Sequence, residues 1–216
     1  MVSMVKKMRG KKVVLILIML LVTTQLMFYY PELDVVVKAA ENILLYEGFE
    51  NSWPPDGWSI TVFNSNGNWT QTTTGVYPTA SPYQGKHMAM FNSFYSPSGE
   101  KARLETPWLS KTGYSSLILD FWMHHSTYGE GGLDKIVVQL SGDGNTWINL
   151  SIISRYSSEN SWRNHKVTIP LEDVEEDFKI GFLGVSDFSG NMYIDEVTIA
   201  ASPVNLSLIH ISEPTR

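Results

Sequence analysis

The chain has 216 residues, of which 43% are hydrophobic and 12% aromatic, enough to bury a sizeable core. Its formal net charge of -6 argues against a nucleic-acid partner, because binding to phosphates needs a basic surface. The lack of cysteine excludes disulfides, thiol catalysis and thiolate metal sites.

A basic block followed by an apolar run begins the chain. Lysines and one arginine between Lys6 and Lys12 precede the run Val13–Val22, which is the order of charged and apolar residues in an export signal. The uncharged stretch continues to Tyr30 and approaches the length that spans a bilayer, so a cleaved signal peptide and a retained anchor both stay open. Residues 1–39 are therefore predicted to be a hydrophobic signal or anchor helix, with the remainder extracellular or at the cell surface. Any contact with a membrane is expected only through this segment.

From Ile43 onward, short apolar stretches alternate with Gly, Pro, Asn and Ser, and no long amphipathic helical period is present. Short strands with turn residues between them are typical of an antiparallel sandwich or barrel. The predicted strands are Ile43–Glu47, Trp58–Phe63, Trp69–Thr74, His87–Phe91, Ala102–Glu105, Leu117–Met123, Lys135–Ser141, Trp147–Ile153, Arg163–Ile169, Lys179–Gly184 and Met192–Ile199.

The composition of these strands predicts where several bulky residues lie. The strand Leu117–Met123 has the pattern of an inner strand covered on both faces. Most tryptophans in a sandwich belong to the core, so those in strand-like positions are expected to be buried. These are Trp58, Trp122, Trp147 and Trp162. His124 and His125 are expected at the surface at a strand end, pointing to opposite faces.

The last predicted strand contains an acidic pair. Its apolar residues nearly alternate, but Asp195 and Glu196 interrupt the pattern. Carboxylates inside a strand cost β propensity, so a bulge, a sheet edge or a metal site is expected to compensate for them. Two solvated carboxylates at a sheet margin are the alternative.

Two long polar connections, Tyr77–Lys86 and Phe94–Lys101, separate predicted strands. Long loops on a rigid sandwich are common positions for binding residues, although ordinary surface connections have the same composition. Sugars stack their apolar faces on Trp and Tyr rings, so aromatic residues in loops are candidate ligand-binding residues. These candidates are Trp53, Tyr77, Tyr83, Tyr95 and Tyr128.

Several motifs follow one another between Tyr46 and Ala200. They are Glu47-Gly-Phe-Glu50, Trp53-Pro-Pro-Asp-Gly-Trp58, Thr106-Pro-Trp-Leu109, Leu119-Asp-Phe-Trp122, Ser141-Gly-Asp-Gly and Tyr193-Ile-Asp-Glu-Val197. In order and spacing they resemble the cleaved-adhesin and choice-of-anchor J group of extracellular domains, which are related to MAM-type jelly rolls. The resemblance implies an all-β fold over residues 40–201, a jelly-roll antiparallel β-sandwich of the concanavalin or galactose-binding type.

Members of that group occur as appendages on secreted proteases and other surface proteins, and some are implicated in adhesion or in binding protein, haem or glycan. The resemblance therefore implies an exported, non-catalytic adhesion or ligand-binding module with an extracellular protein or glycan as its partner. The alternatives are a carbohydrate-binding module and an accessory domain of a secreted protease or glycosidase. The sequence lacks His-Glu-x-x-His, Gly-x-Ser-x-Gly and phosphate-loop motifs, and no enzymatic activity is predicted.

The resemblance also implies that the first and last strands lie side by side. Glu47 or Glu50 would then lie near Asp195, with loop carbonyls and Asp187 completing an oxygen shell of the kind that Ca²⁺ prefers. These four carboxylates are thus candidate ligands of a structural calcium ion. The alternative is that Glu50 caps a turn and Asp195 is solvated.

The end of the sequence has a separate interpretation. Leu206–Arg216 is what one obtains by translating a transposase-type sequencing adapter in frame. Residues 202–216 are therefore interpreted as a truncated tail, of which 206–216 is an artefact. The natural protein is expected to continue beyond Asn205 into further domains of the same chain.

Overall fold

The structure is a computed structural model that describes residues 42–173 and 176–204. This part of the chain contains twelve strands and two short 3-10 helices. No helix within it is long and apolar enough to cross a membrane. The predictions for residues 1–39 and 206–216 fall outside the described residues.

The strands follow in chain order. They are β1 (Asn42–Glu47), β2 (Ser59–Val62), β3 (Trp69–Thr72), β4 (Met88–Phe91), β5 (Lys101–Glu105), β6 (Leu109–Ser110), β7 (Tyr114–His125), β8 (Lys135–Ser141), β9 (Ile148–Ser154), β10 (Ser161–Ile169), β11 (Asp177–Val185) and β12 (Met192–Pro203). The 3-10 helices are Ser93–Tyr95 and Leu171–Asp173. All eleven predicted strands are present, with β7 and β12 longer than predicted. The short β6 was not predicted, because two residues are too few to show alternation.

Two six-stranded sheets form the fold, and every strand pair is antiparallel. The first sheet has the order β10-β7-β12-β4-β3, with β1 also paired to β12. The second has the order β2-β5-β11-β8-β9, with β6 also paired to β11. The predicted jelly-roll β-sandwich is confirmed, and so is the expected pairing of the first strand with the last.

The core lies between the two sheets. Leu119, Phe121 and Met123 of β7 are fully buried on the inner face of the first sheet. Phe121 packs edge-on against Phe182 of the second sheet, with ring centroids 5.1 Å apart. In a sandwich, the inward-facing side chains of both sheets interdigitate and together form the core.

The tryptophans divide between the core and the outer faces. Trp58 is buried as predicted, but Trp122, Trp147 and Trp162 are only half-buried, so the prediction is wrong for these three. Trp122 lies on the outer face of β7 because its neighbours Phe121 and Met123 take the inner one. The outer face of β7 is also less covered than predicted.

A β-bulge accommodates the acidic pair of β12. Asp195 is opposite Trp122 of β7, whereas Thr198 is opposite Asp120, so β12 contains one extra residue at this point. Glu196 lies in the left-handed region, with a φ of 51°. The bulge is one of the compensations that the sequence predicts.

Trp69 joins the two sheets by a hydrogen bond inside the core. Its indole N–H donates to the carbonyl of Ala102 in β5 over 3.0 Å, and its side chain is fully buried.

We expect Trp69→Phe to lower the free energy of unfolding by about 2 kcal/mol, because a buried carbonyl loses its donor. Urea unfolding measures the change. The half-exposed Trp108 provides the matched control, since Trp108→Phe should change stability little; equal effects of both substitutions would contradict this account.

Candidate ligand-binding site

Four aromatic rings from three loops form one cluster, which we call the tyrosine cluster: Tyr77, Phe94, Tyr95 and Tyr128. Tyr77 stacks on Phe94 with ring centroids 4.0 Å apart and an interplanar angle of 18°. Tyr95 and Tyr128 lie 6.4 Å and 5.9 Å from the ring of Tyr77. Tyr77, Tyr95 and Tyr128 are 39%, 65% and 37% exposed. The structure therefore brings three of the five predicted ligand-binding residues together on a partly exposed surface.

Asn191, which is buried in the turn before β12, fixes the loops that carry two of these rings. Its backbone N–H donates to the carbonyl of Tyr77 over 2.6 Å, and its side-chain oxygen accepts the N–H of Phe94 over 3.0 Å. Tyr77 has a φ of 57°, a strained conformation for an aromatic residue that surrounding contacts must hold in place. The sequence places Asn191 only in a turn, because both of its partners are distant in the chain.

A buried ion pair lies next to the tyrosine cluster. Arg155 and Asp134 are both fully buried, with Nε 3.4 Å from a carboxylate oxygen. Arg155 also donates to the carbonyl of Tyr128 over 2.7 Å. Asp134 accepts hydrogen bonds from the hydroxyls of Ser93 and Ser189. The pair thus connects the segments that follow β4, β7 and β11, which contain Ser93, Tyr128 and Ser189. Sequence reasoning did not find this pair.

The other two predicted aromatic residues have different neighbours. Tyr83 stacks on Trp122 on the outer face of the first sheet, with ring centroids 3.8 Å apart. Trp53 is half-buried against the core, 6.0 Å from the ring of Phe49. The five predicted residues therefore do not form one surface.

Two of the predicted metal ligands accept backbone N–H groups from the loop between β3 and β4. Glu50 accepts those of Lys86 and His87, each over 2.9 Å. Asp195 accepts the N–H of Tyr83 over 2.9 Å and that of the following residue over 3.2 Å. Asp195 is fully buried, so the alternative of a solvated carboxylate is wrong.

The remaining two predicted ligands also accept hydrogen bonds. Glu47 accepts the N–H of Phe49 over 2.5 Å, while Asp187 accepts the hydroxyl of Ser98 over 2.7 Å and the N–H of Leu133 over 3.0 Å. Within residues 42–173 and 176–204, no three His, Asp or Glu side chains group together as metal ligands do. In this arrangement the four carboxylates do not form a calcium shell, and calcium binding stays a prediction.

The two neighbouring histidines are buried, which corrects the prediction of a surface position. They do point to opposite faces: His124 contacts the rings of Trp162 and Tyr193, while Nε2 of His125 lies 2.9 Å from Nε2 of His165. Burial, together with the neighbouring His165, lowers the pKa of His125 to about 4. His125 is therefore neutral at ordinary pH, and burial also lowers the pKa of His124.

Burial raises the pKa of Asp195 to about 7, although three backbone N–H donors act in the opposite direction. An unfolded aspartate loses its proton near a pH of about 3.9. Between about pH 4 and about pH 7 the folded state therefore binds a proton that the unfolded state has lost. Its contribution to stability is complete below this window and is lost as the pH rises through it.

We expect the free energy of unfolding of the native protein, relative to that of Asp195→Asn, to fall as the pH rises from about 4 to about 7. The slope is at most about 1.4 kcal/mol per pH unit, because one proton is involved. Urea unfolding across this range, with chelator present, measures it. Asp173→Asn, at an exposed position, should leave the slope unchanged; a parallel pH dependence in Asp195→Asn would refute the assignment.

The fold defines the class of this protein as a jelly-roll β-sandwich domain with an aromatic cluster on its loops. A family model described as MAM domain, meprin/A5/mu, matches residues 49–204, and the chain belongs to this family. No curated protein matches the chain.

Solved structures have the same fold. The K1 cleaved adhesin domain of Lys-gingipain from Porphyromonas gingivalis W83 aligns with a TM-score of 0.54 and 18% identity, covering 74% of this chain and 97% of that domain. The K3 domain of the same protein gives 0.54 and 22% identity, covering 73% and 98%. A Stig cyclase from Fischerella sp. TAU gives 0.50 and 18% identity, covering 74% and 89%. The resemblance to cleaved-adhesin domains is thus confirmed at the level of the fold.

Proposed function

We propose that this domain is an exported, non-catalytic adhesion module that binds an extracellular protein through the tyrosine cluster. The observation that carries the proposal is the grouping of Tyr77, Tyr95 and Tyr128, three partly exposed rings from separate loops. Contiguous exposed aromatic surface is typical of interaction sites on soluble proteins. The positions of these rings are fixed before any ligand binds.

Rigid tyrosines suit protein recognition for an energetic reason. A Tyr ring offers a large contact area with few rotatable bonds, and its hydroxyl can bond to a polar partner. Asn191 and Arg155 already fix the loop backbones that carry the rings, so binding loses little conformational entropy. Tyr95, the most exposed of the three, is the expected centre of the contact.

Two of the buried carboxylates, those of Glu105 and Asp134, have a structural role, which favours a binding function over a catalytic one at these residues. Glu105 is paired with Arg103 over 3.2 Å and Asp134 with Arg155 over 3.4 Å. Burial acts to raise the pKa of Glu105, but a hydrogen bond from Thr61 and the charge of Arg103 outweigh it and lower this pKa. A carboxylate held ionised in this way is a poor general acid.

We expect Tyr95→Ala to weaken binding to an extracellular protein by about tenfold or more, since central tyrosines of interfaces commonly contribute at least about 2 kcal/mol. Panels of immobilised extracellular proteins and immobilised glycans, read by surface plasmon resonance, identify the ligand and measure the loss. The matched control is Phe63→Ala, an aromatic residue 50% exposed elsewhere on the domain. Unchanged affinity in Tyr95→Ala, or binding to glycans alone, would overturn the proposal.

A structural calcium ion is a separate proposal that rests on the sequence. If Asp195 contributes to such a site, we expect excess calcium to raise the melting temperature over that in excess chelator by several degrees, because an ion that binds only the folded state stabilises it. The increase should disappear in Asp195→Asn. Equal melting temperatures with calcium and with chelator would rule out the site.

A further inference from the structure

A groove crosses the outer face of the first sheet, away from the inner faces that form the core. Its volume is about 340 Å³, within the range of small-ligand sites. Strands β1, β7, β10 and β12 supply its floor and walls. Its lining includes Asp120, Trp122, Lys166, Glu196, Thr198 and Ala200.

The aromatic side of the groove is Trp122. This ring is half-buried, and Tyr83 stacks on it with an interplanar angle of 14°. The buried carboxylate of Asp195 accepts the backbone N–H of Tyr83 and so fixes the loop that carries it. The groove therefore has a rigid aromatic wall of the kind on which the C–H face of a sugar ring stacks.

The polar side of the groove carries charged groups that neighbours already orient. Asp120 forms an ion pair with Lys166 over 3.0 Å and accepts a hydrogen bond from Asn164. Glu196 accepts the hydroxyl of Tyr46 over 2.8 Å. An ionised carboxylate accepts about four hydrogen bonds, so Asp120 and Glu196 retain acceptor capacity for the hydroxyls of a ligand.

The charge of the groove selects the class of ligand. Asp120 and Glu196 against Lys166 leave one net negative charge, on a protein whose net charge is already -6. This negative charge disfavours acidic saccharides, whereas a neutral saccharide meets no electrostatic repulsion. A neutral sugar also supplies many hydroxyl donors, which the carboxylates can accept.

We propose that this groove binds a neutral oligosaccharide, with a sugar ring stacked on Trp122 and hydroxyls bonded to Asp120, Glu196 and Thr198. The groove shares no residue with the tyrosine cluster. The inference therefore adds a second binding site to the proposed adhesion function and does not depend on it.

Titration of the full chain with cellotetraose, xylotetraose, mannotetraose and tetragalacturonic acid, read by tryptophan fluorescence and calorimetry, tests the site. We expect at least one neutral tetrasaccharide to bind and the acidic one not to bind. Asp120→Asn and Trp122→Ala should each weaken that binding by about tenfold or more, which corresponds to about 1.4 kcal/mol. Glu159→Gln, the matched substitution at an exposed ion pair outside the groove, should have no effect.

A third variant keeps the test decisive if Trp122→Ala does not fold. Ala200→Trp fills the groove without removing its ion pair, and it should abolish binding at an unchanged melting temperature. The proposal is overturned if no neutral tetrasaccharide binds, if the acidic one binds best, or if Ala200→Trp binds as the native protein does. Tyr95→Ala should leave oligosaccharide binding intact, so the two sites fail or succeed separately.

Discussion

The buried ion pair between Asp134 and Arg155 is the interaction on which the ligand-binding end of this domain depends. Neither charge has access to solvent, so each must be neutralised by the other and by the hydrogen bonds around it. The partners in these hydrogen bonds, among them Ser93, Tyr128 and Ser189, belong to different loops. The requirement to satisfy two buried charges therefore forces the loops into one arrangement, and the aromatic surface follows from it.

Much of the fold could be predicted because its signal is local. Alternation along each strand and the turn residues between strands located all eleven strands of more than two residues, and the disturbed alternation at Asp195 indicated the bulge. The exposure of Trp122 could not be predicted in the same way. Alternation shows that Trp122 and Phe121 face opposite sides, but it does not show which side a second layer will cover.

The sites depend on contacts between distant parts of the chain, which a single sequence does not contain. Tyr77 and Tyr128 are in different loops, and only the folded chain shows that their rings meet. The carboxylates illustrate a second difficulty. A carboxylate oxygen can either accept backbone N–H groups or bind calcium, so the residue types of Glu50 and Asp195 are the same for either partner. Only the folded chain shows that a loop returns to these carboxylates and donates its backbone N–H groups to them.

The bulge in β12 has a consequence for how this strand tolerates insertions and deletions. Ile194 and Val197 both face the core although they are three positions apart in the chain. Glu196 is the extra residue between them, and on either side of it the side chains of β12 alternate regularly between the two faces. Removing that single residue would restore an uninterrupted pleat and leave Ile199 and Ala201 facing the core, whereas inserting one further residue with the bulge kept would turn them away from it. Replacing its side chain would leave the phase intact. At this point β12 already contains one residue more than its pairing needs, so an insertion here would do more damage than a deletion or a substitution.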